Sequence, residues 1–301
     1  MREAKLRFDS DEEIKRYIAD CEARFACQLE AAGRYAVTHG RDILTLCGPT
    51  CSGKTTAAAL LGKTFADMGR RLHVVSIDNF YYSREYLRLR SLRQGKGVDY
   101  DSPDTIDIDC FANAVRAIAA RGRVELPVYD FKEGRRTSAL QIECTKEDVF
   151  LFEGIQAVYP ALTKYLAPYG YCSLFISVEQ SLLAGTTIFD PREIRFLRRL
   201  VRDFQFRGAG AQFTFSLWPS VCKNEDEHIY PNLSGCHFRI DSLMPYEIQV
   251  IKPYVLSVLS DHSVMGEYKN QADRILHKLS AVESIDERFV PQNSVFREFI
   301  G

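Results

Sequence analysis

The sequence predicts an α/β fold, a parallel sheet with helices on both faces, and three observations predict it. Gly48-Pro49-Thr50-Cys51-Ser52-Gly53-Lys54-Thr55 fits the phosphate-binding pattern G-x-x-x-x-G-K-[ST] at every fixed position. An apolar run of strand length, 43–47, precedes it, and an Ala- and Leu-rich stretch of helical character, 54–68, follows it. Strand candidates at 43–47, 72–77, 148–152 and 173–178 alternate with helix candidates at 54–68, 107–121, 192–206 and 245–259, the order that builds parallel sheets. Together these give a P-loop NTPase-type sheet, with ligands expected at the carboxyl ends of its strands.

The elements follow in order. Ser10-Asp11-Glu12-Glu13 has the spacing of a capping box, and Ile14, Ile18, Cys21, Phe25, Leu29 and Ala32 recur at helical spacing until Gly40. Residues 1–40 are therefore expected to form a helical arm, packed on the body or on a partner. Residues 41–301 are expected to form the P-loop domain, with a C-terminal helix near 270–281 and an extended tail over 290–301. In the phosphate loop, backbone N–H groups and the N-terminus of the following helix converge on one point. Lys54 is expected to reach the β- and γ-phosphates and Thr55 to ligate Mg²⁺.

Two acidic strand ends follow. Asp78 ends the second strand; a carboxylate there suits a general base, with metal binding or helix capping as the other readings. Glu153 ends an apolar strand and is read as the carboxylate that holds a Mg²⁺-bound water. Residues 192–207 carry six arginines (192, 195, 198, 199, 202 and 207) against Glu193 and Asp203. Arg195, Arg199 and Arg202 fall on one helical face, while Leu197, Leu200, Val201 and Phe204 suit the body. The segment is expected to be a lid helix closing on a triphosphate. Cys51 lies inside the phosphate loop. The helix N-terminus and Lys54 favour its thiolate if the loop is open, which predicts inactivation by a mild thiol reagent; the alternative is an inert sulfur pointing back into the protein.

Composition excludes other classes. Of the 301 residues, 39 are Lys or Arg and 40 Asp or Glu, so no basic surface argues for nucleic acid. The charged N-terminus has no apolar segment of a secretion signal, and no run approaches a membrane span. Nine scattered cysteines without a C-x-x-C are expected to be reduced thiols of a cytoplasmic protein. Cys222, His228, Cys236 and His237 match no common zinc spacing. The sequence is compatible with a homo-oligomer.

In sum, the phosphate loop, Ser76-Ile77-Asp78-Asn79-Phe80-Tyr81, Tyr100-Asp101-Ser102-Pro103-Asp104, Pro127-Val128-Tyr129-Asp130-Phe131, Phe152-Glu153-Gly154-Ile155 and Arg198-Arg199-Leu200-Val201-Arg202-Asp203 occur in one order. That series resembles the uridine kinase and phosphoribulokinase branch of the P-loop kinases. Phe215-Ser216-Leu217-Trp218-Pro219-Ser220-Val221 and the last eight residues resemble a bacterial uridine kinase-like subgroup. Its longer members carry a threonyl-tRNA synthetase-related segment, of which the N-terminal helix here is the candidate remnant. The resemblance implies Asp78 as base for a ribose 5′-hydroxyl, Tyr81 as an acceptor-site aromatic, and Asp101 as the carboxylate on the ribose hydroxyls. It also implies Tyr129 against the base, Arg136 near the acceptor, and Arg199, Arg202 and Arg207 on the phosphates. Gly48, Pro49, Thr50, Cys51, Ser52, Gly53, Lys54, Thr55 and Thr56 form the nucleotide loop.

The expected activity is ATP- or GTP-dependent, Mg²⁺-requiring phosphorylation of a small-molecule nucleoside, with uridine the expected acceptor. A sugar or phosphosugar kinase, a non-catalytic nucleotide-binding module and an RNA-associated factor are the alternatives. Two departures bear on this: Gly134 stands where related pyrimidine kinases place a base-reading His, and the lid's Arg-Gly-Arg reads Arg207-Gly208-Ala209.

Overall fold

A computed structural model of the chain describes all residues except Lys96, Asp99, Asp101 and 261–265. In chain order the strands are β1 (Arg2–Glu3), β2 (Ile43–Cys47), β3 (Arg71–Ser76), β4 (Arg123–Asp130), β5 (Arg135–Glu143), β6 (Asp148–Glu153), β7 (Cys172–Ser177), β8 (Leu182–Ala184), β9 (Thr187–Phe189) and β10 (Phe238–Asp241). The helices are α1 (Asp11–Thr38), α2 (Lys54–Asp67), α3 (Arg84–Gln94), α4 (Ile108–Ala119), α5 (Pro160–Leu166), α6 (Pro191–Arg207), α7 (Ala211–Asn224), α8 (Glu247–Val258), α9 (Lys269–Ser280) and α10 (Arg297–Ile300).

The central sheet runs β10-β7-β2-β6-β3, with every pairing parallel. Its three inner strands are almost wholly buried, as continuous apolar runs require when helices cover both faces. The two edges are blunted differently. On β3, Arg71 and His73 both hydrogen-bond Asp148 at 2.7 Å, placing charge along the open edge. On β10, the Gln28 side-chain amide of α1 accepts from the Asp241 N–H at 2.9 Å and donates to its carbonyl at 3.2 Å. The first helix thus satisfies backbone groups at that edge, and its apolar face (Ile18, Cys21, Phe25, Leu29, Ala32) joins the core formed with Ala57, Leu61 and Phe65 of α2. Ser10 caps this helix at the Glu13 N–H, but the Glu13 carboxylate reaches back to the Asp9 N–H rather than that of Ser10.

Of the two acceptor-site candidates, 127–131 falls on β4 and the turn of an antiparallel β4–β5 hairpin that forms its own two-stranded sheet; neither α3 nor the full hairpin is among the sequence expectations. The tail is not extended to its end. It closes with the helical turn α10, and Val295, Phe296, Phe299 and Ile300 are buried. Among the described residues no helix is long and apolar enough to cross a membrane.

Candidate active site

The phosphate loop leaves β2 between the ends of β6 and β7 and enters α2 at Lys54. Glycine is required twice. A Cβ on Gly48 would lie 2.2 Å from the Ile176 carbonyl oxygen. Gly53 has a left-handed φ of 90°, and a Cβ there would lie 2.3 Å from Val295 of the tail. Lys54 Nζ donates to the loop's own carbonyls at Gly48 (2.8 Å) and Pro49 (3.0 Å), while Thr55 is exposed at the mouth of the loop.

Register explains the convergence of carboxylates. Glu153 ends β6, paired with Leu46 on one side and Ser76 on the other, and Asp78 follows β3 by two residues. A cleft of about 440 Å³ is lined by Thr50 to Thr55, Asp78, Tyr81, Glu153 to Gln156, Arg202, Arg207 and Glu298. Burial raises the Glu153 pKa; Lys54 and a Ser76 hydrogen bond pull it down, and the negative charges of Asp78 and Glu298 push it up again. Burial and the like charge of Arg202 lower the pKa of Arg207. The cleft therefore holds cations crowded together beside carboxylates, the charge pattern that suits a metal-bound phosphate chain. Backbone N–H groups at a helix start, an aimed Lys, a hydroxyl and one metal-type carboxylate fit a nucleoside triphosphate with Mg²⁺.

Helix α6 behaves differently from an opening lid. Its residues Ile194, Leu197, Leu200 and Val201 are core. Arg195 and Arg198, both fully buried, form bidentate pairs with Glu225 and Glu247 at 2.6–2.8 Å. Each also donates at 3.2 Å to a carbonyl of the phosphate loop, Arg195 to Thr50 and Arg198 to Cys51. Arg195 thus braces the loop from behind instead of sharing a phosphate-facing row with Arg199 and Arg202. Arg199 reaches the Thr50 hydroxyl at 3.4 Å, and Arg199, Arg202 and Arg207 share Asp203 as counter-charge. Of the three, Arg202 and Arg207 line the cleft.

Cys51 corrects an expectation. It adopts a left-handed φ of 56°, is 3% exposed and packs in the core. Burial pushes its thiol pKa up, against the pull of Arg202, a Thr50 hydrogen bond and Arg199, and the structure favours the inward-pointing sulfur over the open thiolate.

The acceptor-side residues separate. Tyr81 lines the cleft; its hydroxyl donates to the Tyr100 carbonyl (3.0 Å) and accepts from Gln156 (2.8 Å). Tyr129 is nearly buried, edge-on to Tyr81 at 6.0 Å, and its N–H donates to the Asn79 side chain at 3.0 Å, tying the hairpin to the strand end that bears Asp78. Arg136 lies outside the cleft, donating to Asp107 at 2.6 Å. Asp101 lies outside the described residues.

Sequence reasoning missed two residues. Gln156 holds Tyr81, and Glu298 of the tail accepts from the Thr56 N–H (3.3 Å) and hydroxyl (3.2 Å) on the first turn of α2. Among the described residues no group of three or more His, Cys, Asp or Glu could hold a metal alone, and all nine cysteines are unpaired.

Comparison with known proteins identifies the family. The model of the Phosphoribulokinase / Uridine kinase family matches residues 43–249. A uridine kinase of Ureaplasma urealyticum is 24% identical over 66% of this chain and 86% of its own length, and one of Shewanella pealeana 28% over 60% and 78%. A possible uridine kinase from Bacillus stearothermophilus superposes with a TM-score of 0.40 at 14% identity, over 67% of this chain and 89% of that one. The chain belongs to the phosphoribulokinase/uridine kinase family and is a P-loop phosphotransferase.

Proposed function

For this family member we propose ATP- or GTP-dependent phosphorylation of a nucleoside 5′-hydroxyl, with uridine as acceptor. The carrying observation is that Asp78 and Glu153, on the ends of adjacent strands, line one cleft with Lys54, Thr55, Arg202 and Arg207. Asp78 accepts the proton of the attacking hydroxyl. Lys54, Arg199, Arg202 and Arg207 offset the charge spreading over the transferred phosphoryl group. Thr55 and Glu153 would hold Mg²⁺, which when bound neutralises phosphate charge and orients the chain. Tyr81, Tyr129, Asp101 and Arg136 are assigned to the acceptor side, where Tyr81 lines the cleft with Asp78 and Tyr129 packs edge-on against Tyr81.

One observation favours a second reading, a sugar or phosphosugar acceptor. At Gly134 the hairpin closes on Arg84 rather than offering a ring to a base: the Arg84 N–H donates to the Gly134 carbonyl at 2.7 Å, and a Cβ on Gly134 would lie 2.9 Å from that of Arg84. The test is NTP turnover with a panel of nucleosides, sugars and sugar phosphates. Stimulation by uridine supports the proposal. Stimulation by sugars alone supports the second reading. Tight NTP binding with no stimulation by any acceptor overturns both, in favour of a nucleotide-binding module.

A further inference from the structure

The C-terminal tail brings a carboxylate to the place where a phosphate is expected. Backbone N–H groups at the start of a P-loop helix serve the α- and β-phosphates. Here the Thr56 N–H, on the first turn of α2, is already taken: Glu298 Oε2 accepts from it at 3.3 Å and from the Thr56 hydroxyl at 3.2 Å. Glu298 also lines the cleft with Lys54 and Arg202. Burial lowers the Arg202 pKa, and Cys51, then Asp203 and, least, Glu298 raise it by more.

The position of Glu298 is built rather than incidental. Ser294 Oγ donates to Glu22 of α1 at 2.6 Å. The Arg297 guanidinium donates to the carbonyls of Glu287, Val290 and Gly301, each at 2.8 Å. Phe299 is fully buried beneath the Arg198 guanidinium, 4.8 Å from its ring centre, and Val295 fills the space that Gly53 leaves open. The tail backbone is thus fixed against α1, α6 and the phosphate loop, and the Glu298 side chain projects from it into the lining of the cleft.

We propose that Glu298 is a donor-site gate: its carboxylate holds the phosphate position on Thr56 and must swing aside before a nucleotide binds. This rests on the reading of the cleft as a triphosphate site. An anion against an anion in a partly buried site weakens binding, so wild-type affinity for phosphorylated nucleotides is held down by the tail.

The experiment is a titration of wild type, Glu298→Gln and Glu298→Ala with a fluorescent ATP analogue without metal, followed by displacement with ATP and AMP. The Gln variant keeps the size of the side chain and guards against a packing effect in the Ala variant. The expected result is tighter binding of ATP by about tenfold or more in both variants, with a gain for AMP as well, since it carries the α-phosphate. Wild-type binding that neither variant tightens, or that both weaken, overturns the gate and leaves the triphosphate site standing. Failure of all three proteins to bind the analogue, ATP or AMP both without metal and with Mg²⁺ overturns the triphosphate site and the gate with it.

Discussion

The proposed donor side and the proposed acceptor side of the cleft are built on different principles. On the donor side, backbone geometry does most of the work: a tight loop between two glycines, the start of α2 and the ends of parallel strands. Two buried arginines brace that loop from behind through its carbonyls. On the acceptor side, the β4–β5 hairpin forms a separate two-stranded sheet, and its Arg136 is spent on Asp107, the N-cap of α4. A fixed cradle suits the phosphate chain proposed to bind there. On the hairpin the exposed side chains of β5 can change without disturbing the core, whereas Val124, Leu126 and Tyr129 of β4 are part of it.

The contrast is sharpest at Asp78, which sits where the halves meet. Asp78→Asn is expected to lower turnover by about 10²–10⁴ while leaving NTP affinity nearly unchanged. Steady-state kinetics with a separate binding titration checks it, and near-wild-type turnover would sink the base assignment.

Next in size is the donor-side brace. Arg198→Ala leaves Glu247 buried without its partner and is expected to cost about 3–5 kcal/mol in denaturant unfolding. A loss below roughly 1 kcal/mol, the range of surface pairs, would break the claim that this pair holds the loop.

A paired comparison follows. Arg202→Ala removes a charge-assisted contact from the donor side and is expected to reduce turnover roughly 10- to 100-fold. Arg136→Ala, whose ion pair is partly exposed, is expected to change acceptor KM by only about a few-fold. If Arg136→Ala proves the more damaging of the two, the division of the cleft proposed here is wrong.

A pH effect is attached to Glu153. Its folded-state pKa is raised by burial, so the fold favours the protonated form. The linked stability is fully present below the unfolded pKa and is lost as pH rises through the folded one. Without metal, Glu153→Gln should therefore be at least as stable as wild type at neutral pH, yet lose the Mg²⁺ enhancement of nucleotide binding. Melting curves with and without Mg²⁺ give both readouts, and a Gln variant that still responds to Mg²⁺ removes Glu153 from the metal site.

The smallest effect is expected at Cys51. Because its sulfur is buried with a raised pKa, a mild thiol reagent without nucleotide should inactivate wild type and Cys51→Ser at equal rates, if at all. Faster loss in wild type would show that the loop opens in solution.

Much of the donor side was legible because its function is written in short, contiguous spacing. The phosphate loop, the strand ends at Asp78 and Glu153 and the amphipathic Arg-rich helix each follow from local periodicity or from residue types at fixed offsets. Periodicity also gave the core strands to within a residue or two: 72–77 is observed as Arg71–Ser76 and 173–178 as Cys172–Ser177. The same local signals could not sort the arginines of α6. Arg195 and Arg198 differ from Arg199 and Arg202 in which distant carboxylates they meet, Glu225 and Glu247 against Asp203 close by. Nor could they show that Cys51 turns inward, since that depends on what α6 packs against. The sequence by itself determined the parallel α/β sheet, the phosphate loop and the two acidic strand ends, because backbone hydrogen bonding and helical or strand periodicity are local. Only the tertiary structure decided that Gln28 covers a sheet edge, that two arginines brace the loop, and that Glu298, more than 240 residues beyond Thr56, closes on the same helix start. Those contacts join segments far apart in the chain, and their partners are chosen by the packing of the whole core.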